Sequence, residues 1–308
     1  MRPVAAGLLA GSAHRQLARS LGCAPSTVTR LSARLGRHGI LLLARALAEL
    51  RGAVTEPFVL DHFETFEFTQ DYPFGVAMPV GAESWFVYDV EPAPHARTGP
   101  CSVHQQRRLR ARPKRLARGG YLGSTRRTLD VVLSLGTPGR VVRIRGDGHP
   151  AYDHAVARHP KARRLLLGRY PNPLRAPRGA PRCAQARVRD RAMFPVDLLH
   201  KILRHTLAHQ RRETIAFGRR LNAILERLFL AAVWRNFVKH RSERRREPLT
   251  PAMRLGLADA PWSWKRLLAR RLFYHRLRLP GTWSSTYRRL WTTPVLASNT
   301  RHNLSRAF

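Results

Sequence analysis

Three aspartates stand in short motifs of an otherwise very basic chain: Val59-Leu60-Asp61-His62-Phe63, Ile144-Arg145-Gly146-Asp147-Gly148-His149-Pro150 and Pro195-Val196-Asp197-Leu198-Leu199-His200. Asp61 and Asp147 lie at or just past the middle of apolar stretches with strand character, and Asp197 reads as the opening of an amphipathic helix. Carboxylates brought together from strand ends and a helix offer hard oxygen ligands to divalent metal ions, which stabilise in-line displacement at a phosphodiester. Lys and Arg outnumber Asp and Glu 56 to 19 in 308 residues, giving a formal charge of +37. A field of that sign suits a polyanion, and nucleic acid is the partner it implies. The combination of basic surface and small acidic centre points to chemistry on nucleic acid.

Positioning such a centre requires a folded core, and the 44% hydrophobic content supplies one. The first residues read as helical. His14 to Leu21 forms one helix stopped by Gly22, Cys23-Ala24-Pro25 makes a turn, and Ser26 N-caps a second helix, Thr27 to Leu35, that Gly36 ends. Two short helices around a tight turn match a helix-turn-helix, with Thr27, Thr29, Arg30 and Arg34 facing a major groove. A further apolar helix spans residues 40–50.

From Phe58 the period changes to that of strands, in runs 58–61, 74–80 and 85–90. Residues 92–120 form a basic insertion whose Arg107, Arg108, Arg110, Arg112, Lys114 and Arg115 suit a backbone clamp, although a charge run is also an ordinary solvated loop. A helix at 128–135 precedes a strand at 140–144 that delivers Asp147, and a helix at 151–158 precedes a strand at 164–167. Residues 171–190 are proline-rich and read as irregular. Long helices then cover 196–217 and 221–240, and a basic, tryptophan-containing tail follows. The expectation is an α/β protein: a helix-turn-helix domain at 1–52, a mixed-sheet domain with flanking helices at 53–240, and a tail at 241–308.

The motifs Leu60-Asp61-His62-Phe63, Gly146-Asp147-Gly148-His149-Pro150-Ala151-Tyr152, Arg212-Glu213-Thr214-Ile215-Ala216-Phe217 and Val233-Trp234-Arg235-Asn236-Phe237-Val238-Lys239 resemble those of bacterial insertion-sequence transposases of the DDE/DDD type. The resemblance runs from about His14 to Lys239, and its most specific part is the Asp-Gly-His-Pro-Ala-Tyr element. It implies a ribonuclease-H-like catalytic domain, Mg²⁺ (Mn²⁺ substituting) held by Asp61, Asp147 and Asp197, and cleavage and strand transfer at the ends of a mobile element. It further implies double-stranded DNA as partner, a homo-oligomer on that DNA, and a cytoplasmic, nucleoid-associated location. Arg212 and Arg235, inside the motifs, are the phosphate candidates. Relatives often carry a zinc ribbon ahead of the helix-turn-helix, which this sequence lacks.

Bland readings accompany each of these. Asp61 is also a candidate for an N-cap or surface ion pair, and Asp147 for a plain Asp-Gly turn. The third acid remains open between Asp197, Glu213 and Glu226, with Asp197 preferred for its separation from Asp147. His205 and His209 have zinc-like spacing but no third ligand, and Cys23, Cys101 and Cys183 are too few and too scattered for a disulfide framework or a zinc site. Residues 4–13 have the apolar character of a short export signal, but only one basic side chain precedes them and the helix-turn-helix pattern follows at once. No stretch reaches the roughly 18 apolar residues of a membrane span. The alternative to an enzyme is a non-catalytic helix-turn-helix DNA-binding protein, or a transposase remnant that retains binding alone.

Overall fold

The computed structural model describes residues 1–95, 101–111, 120–174, 177, 179–211, 214–243 and 248–292. The strand periodicity after Phe58 yields two joined sheets. One chain path carries β1 (Phe58–Val59) and, past Leu60 and Asp61, β2 (His62–Phe66). The returning path carries β3 (Pro73–Ala77) and β4 (Val80–Gly81), followed by β5 (Glu91–Pro94), β6 (Val142–Gly146) and β7 (Leu165–Arg169). The four-stranded sheet has the order β4-β1-β6-β7, and the three-stranded sheet has the order β2-β3-β5. β1–β4, β2–β3 and β3–β5 are antiparallel, whereas β1–β6 and β6–β7 are parallel. Met78 N–H donates to the Asp61 carbonyl at 3.1 Å and Leu60 N–H to that of Arg145 at 2.8 Å, so pairing continues through the junction. Followed along chain paths, the order is one antiparallel meander that passes into a parallel pair. The run expected at 85–90 enters the third strand path: after a reversal at Trp85, which holds φ at 64°, Val87 bridges antiparallel to Val80, and β5 continues that path against β3.

Helices cover these sheets. α1 (Arg2–Leu9) buries Val4, Ala5, Leu8 and Leu9. α2 (His14–Ser20) ends at Gly22, whose φ of 60° provides the left-handed stop the sequence predicts. α3, however, runs unbroken from Pro25 to Glu49, with Ala24 as its N-cap position and Pro25 in its first turn. Ser26 is therefore not the cap, Gly36 ends nothing, and the expected helices at 27–35 and 40–50 are one. The reason lies across the interface with α8 (Leu221–Phe237), along which α3 packs. A Cβ on Gly36 would sit 2.4 Å from Glu226 Cβ and 2.5 Å from its carbonyl oxygen. One on Gly39 would meet the Phe229–Leu230 peptide at 3.2 Å. The glycines let two helix backbones close on each other. As a result residues 1–52 share one continuous hydrophobic core with the sheets and α8.

The basic insertion contains a helix, α4 (Val103–Ala111), and α5 (Gly120–Leu135) starts earlier than the sequence suggests. α6 (Pro150–Ala157) follows Asp147. α7 (Ala184–Thr206) begins in the stretch read as irregular and carries Pro195 within it. Asp197 thus lies in the middle of a helix and does not open one. α7 stops at Thr206, far short of 217.

Residues 248–292 are not a tail. α9 (Pro251–Arg254), α10 (Trp264–Ala269) and α11 (Trp283–Tyr287) pack back on the body. Trp283 is fully buried, edge-on to Phe229 at 4.8 Å, and its Nε1–H donates to Asp89 Oδ1 at 2.8 Å. No helix among the described residues is long and apolar enough to cross a membrane.

Candidate active site

Parallel pairing of β1 with β6 sets Phe58 opposite Ile144 and Val59 opposite Arg145. Carried two residues further, that register brings Asp61 level with Asp147, and neighbouring strands lie only about 4.8 Å apart. Asp61 occupies the junction between the sheets, and Asp147 the turn from β6 to α6, where Gly148 takes φ of 87°. His149 N–H donates to Asp147 Oδ1 at 3.0 Å, and the His149 ring caps α6 through Ala151 N–H. The third motif arrives from α7, which packs against β1, β4 and β6.

The proximity of the three acids is visible in the titration of the first. The Asp61 carboxyl is raised from 3.8 to about 7. Burial is the main cause, the Asp147 charge the next, and Asp197 adds to it; the His62 backbone N–H, at 2.8 Å from Oδ1, and Arg189 oppose it. A neighbouring carboxylate charge favours the protonated form of Asp61, and a cation placed beside it reverses the effect. Asp61 has no Lys or Arg ion partner and Asp147 none at all among the described residues, although the chain carries 56 such cations. The nearest cationic type to Asp61 is His200, whose Nδ1 lies 3.7 Å from Oδ2. Burial and the charges of Arg204 and Arg189 lower His200 from 6.5 to about 3, so it faces the carboxylate as a neutral ring.

Asp197 is different. Arg189, two turns earlier on α7, grips it through Nη1 to Oδ2 and through Nη2 to Oδ1 at 3.3 Å. Among the described residues no group of three His, Cys, Asp or Glu side chains is close enough to hold a metal ion. The Asp61–Asp147 pair does fit Mg²⁺, which is commonly bound through one or two carboxylates with water and phosphate completing the shell. Asp197 completes a triad only by exchanging Arg189 for that ion.

The other candidates for the third acid are placed elsewhere. Glu226 is buried and clamped by Arg289, with Nε to Oε1 at 2.8 Å and Nη2 to Oε2 at 3.1 Å. Glu213 lies outside the described residues, as do Arg112, Lys114, Arg115 and Arg212. Arg107 and Arg110 are exposed on α4, a helix that also includes Arg108. Thr29, Arg30 and Arg34 are exposed on α3 and Thr27 is half-buried; Thr29 Oγ1 is already engaged by the Pro25 carbonyl and His14 Nδ1. Arg235 corrects the expectation of a phosphate ligand. It is 2% exposed and donates to the His240 carbonyl, and burial lowers its pKa to about 10. His209 belongs to a short 3-10 turn after α7 and accepts from buried Arg227 at 3.2 Å. Asp89, on the core side of the sheet, is occupied by Thr128 and Trp283.

Several site neighbours escaped the sequence reading. His62 is buried between Tyr152 and Ser124, and Tyr121 stacks on His149 at 4.7 Å. Their signals were present: His62 and Tyr152 sit inside the two aspartate motifs, and His200 follows Asp197 by one helical turn. No family model matches the chain, and no curated protein or solved structure is similar enough to register as a match.

Proposed function

We propose that this protein is a metal-dependent DNA transposase of the insertion-sequence type, with a ribonuclease-H-like core that cleaves and joins phosphodiesters. The observation that carries the reading is the Asp61–Asp147 pair: two adjacent carboxylates, unmatched by Lys or Arg among the described residues of a chain of charge +37, one of them raised to about 7. The strand path supports it, since an antiparallel meander passing into a parallel pair, with acids on the first strand, after the fourth and on a later helix, is the order expected of such a core. Asp61 and Asp147 would hold Mg²⁺, and Asp197 would be available to it only if released by Arg189. Bound there, the ion supplies charge neutralisation at the phosphate and a more acidic nucleophile. The chain's own contribution is to fix the carboxylates, keep His200 neutral beside them, and bring DNA in along exposed arginines of α3 and α4. Double-stranded DNA is the substrate, and a homo-oligomer on it the working form.

The decisive experiment compares the chain with Asp61→Asn and Asp147→Asn on duplexes bearing the element's ends. Mg²⁺-dependent nicking should disappear in both variants while duplex binding without metal is retained, because removing a negative charge near a phosphate does not weaken the encounter. Full nicking in both variants refutes the assignment. One observation favours a second reading, a DNA-binding protein without catalysis: Arg189 already neutralises Asp197. Nicking absent from the unmodified chain and from Arg189→Gln, with duplex binding intact, would select it.

A further inference from the structure

Behind Asp61 lies a line of buried polar groups that the proposed chemistry leaves unassigned. Tyr152 Oη is 3.4 Å from Asp61 Oδ1 and 2.9 Å from His62 Nδ1. His62 Nε2 is 2.8 Å from Ser124 Oγ, and Ser124 Oγ is 3.1 Å from the Tyr121 carbonyl. Ser124, Tyr152 and His62 are 0%, 2% and 5% exposed, so water does not compete for these groups. Two glycines make room for the rings. A Cβ on Gly146 would lie 2.9 Å from Tyr152 Cδ2, and one on Gly75 would lie 3.2 Å from His62 Cβ. The rings themselves are parallel within 10°. Two pH units above the ordinary imidazole pKa of about 6.5 a histidine ring is neutral and has one proton to place.

An ionised carboxylate can only accept, and this fixes the polarity of the line. If Tyr152 donates to Asp61, the His62 Nδ1 beside it must be the protonated nitrogen and donate to Tyr152 Oη. His62 Nε2 is then an acceptor, and the Ser124 hydroxyl turns from the Tyr121 carbonyl to meet it. The opposite polarity would set two oxygen lone pairs against each other at Asp61. We infer that Ser124, His62 and Tyr152 form a directional hydrogen-bond relay that positions Asp61, pinning Oδ1 and leaving Oδ2 for a divalent cation. Oδ1 is then held twice, by Tyr152 and by the His62 backbone N–H at 2.8 Å. This inference rests on the proposed function for the identity of the ligand, but not for the relay itself. Tyr152 and His62 are positioning residues, because they reach a bound ion only through Asp61.

The relay makes His62 adopt the Nδ1–H tautomer, which is the less favoured form of a free imidazole. Long-range ¹H–¹⁵N correlation of the full-length, metal-free protein at about pH 8.5, where ordinary carboxylates are ionised, reads this directly. The expected result is a His62 proton on Nδ1, shifting to Nε2 in Tyr152→Phe. Mn²⁺ titration followed by electron paramagnetic resonance should show affinity falling by roughly 10-fold in Tyr152→Phe, the lower end of what outer-shell partners of a metal ligand contribute. Ser124→Ala, at the far end of the line, should produce a smaller loss of the same sign. Metal-free duplex affinity should not change in either variant. A wild-type His62 protonated on Nε2 or exchanging between tautomers overturns the relay, whether or not the variants fold. So does a folded Tyr152→Phe with unaltered Mn²⁺ affinity. A wild-type chain with the Nδ1–H tautomer but no Mn²⁺ binding and no nicking instead overturns the proposed function and leaves the relay standing.

Discussion

Asp61 should make the metal-free protein less stable, and neutralising it should show by how much. Its carboxyl is raised from 3.8 to about 7, so the folded state holds a proton that the unfolded chain has already released. Below pH 4 both states are protonated and the group contributes nothing. Between about 4 and 7 stability falls as pH rises, because folding then requires a proton from solution, and above 7 the full penalty is present. At 1.36 kcal/mol per unit, a shift of about three units amounts to ~4 kcal/mol. The side chain keeps 22% of its exposure, and solvent screening reduces the observable part to ~2–4 kcal/mol. Asp61→Asn retains an oxygen acceptor for the His62 N–H and removes the charge. In a chelating buffer at pH 8 the variant should therefore melt higher, by about 4–8 °C at roughly 2 °C per kcal/mol for a chain of this size. The gap should close by pH 4. Added Mg²⁺ should raise the wild-type midpoint and leave the variant unmoved, since only an intact pair gains from the cation. Thermal unfolding by circular dichroism at several pH values tests all of this. An Asp61→Asn protein that melts lower at pH 8, or a gap independent of pH, would refute the electrostatic account of the site.

Trp283→Ala should cost ~3–5 kcal/mol, as for other buried aromatic truncations, and more because Asp89 loses its indole donor; chemical denaturation measures it, and an unchanged midpoint would return residues 248–292 to the status of a tail. Gly36→Ala should be destabilising by ~1–2 kcal/mol, since a Cβ 2.4 Å from Glu226 Cβ forces the helices apart and outweighs the ~1 kcal/mol gain in helix propensity. Gly123→Ala on α5, where the nearest atom is an arginine tip at 3.4 Å, is the control and should be neutral or stabilising. Acid should loosen the contact of His14 with Arg227 of α8, whose Nη1 lies 3.5 Å from the His14 ring. His14 is lowered from 6.5 to about 4 by burial and by Arg227, so its contribution is complete above 6.5 and lost as pH falls toward 4, up to ~3 kcal/mol. His14→Gln should flatten that limb of the stability profile, and a limb of unaltered slope would exclude it as the cause.

Strand character and the pairing of Asp61 with Asp147 were legible because both follow from short-range pattern. Alternation marks the strands, and two aspartates each just beyond an apolar run come level once those runs pair in parallel. What the pattern could not show was partner-dependent. Gly36 has the sequence signature of a helix stop, and only the approach of Glu226 makes it a contact surface inside a longer helix. Pro195 signals a first turn, yet it is tolerated within α7, so Asp197 lies further along its helix than the sequence suggests. Trp283 and Arg289 look like a basic aromatic tail until Asp89 and Glu226 supply a buried acceptor for each.

That last pairing shows how a chain with so few acids distributes them. Glu226 is matched by Arg289, Glu91 by Arg127 and Asp197 by Arg189. Buried Glu56 has no cation but collects the Ser84 hydroxyl, the Tyr88 hydroxyl and two backbone N–H groups. A buried or half-buried carboxylate costs several kcal/mol unless compensated, and these residues carry their compensation in the fold. Asp61 and Asp147 accept backbone N–H groups from His62 and His149 but pair with no Lys or Arg among the described residues, and they are adjacent. On the proposed function, a divalent ion brought in with a phosphate is the partner, since its charge, size and ligand preference match two aspartates at the end of a parallel strand pair. Acids alone would signal little in such a chain; the informative fact is that two of those without a Lys or Arg partner among the described residues stand side by side.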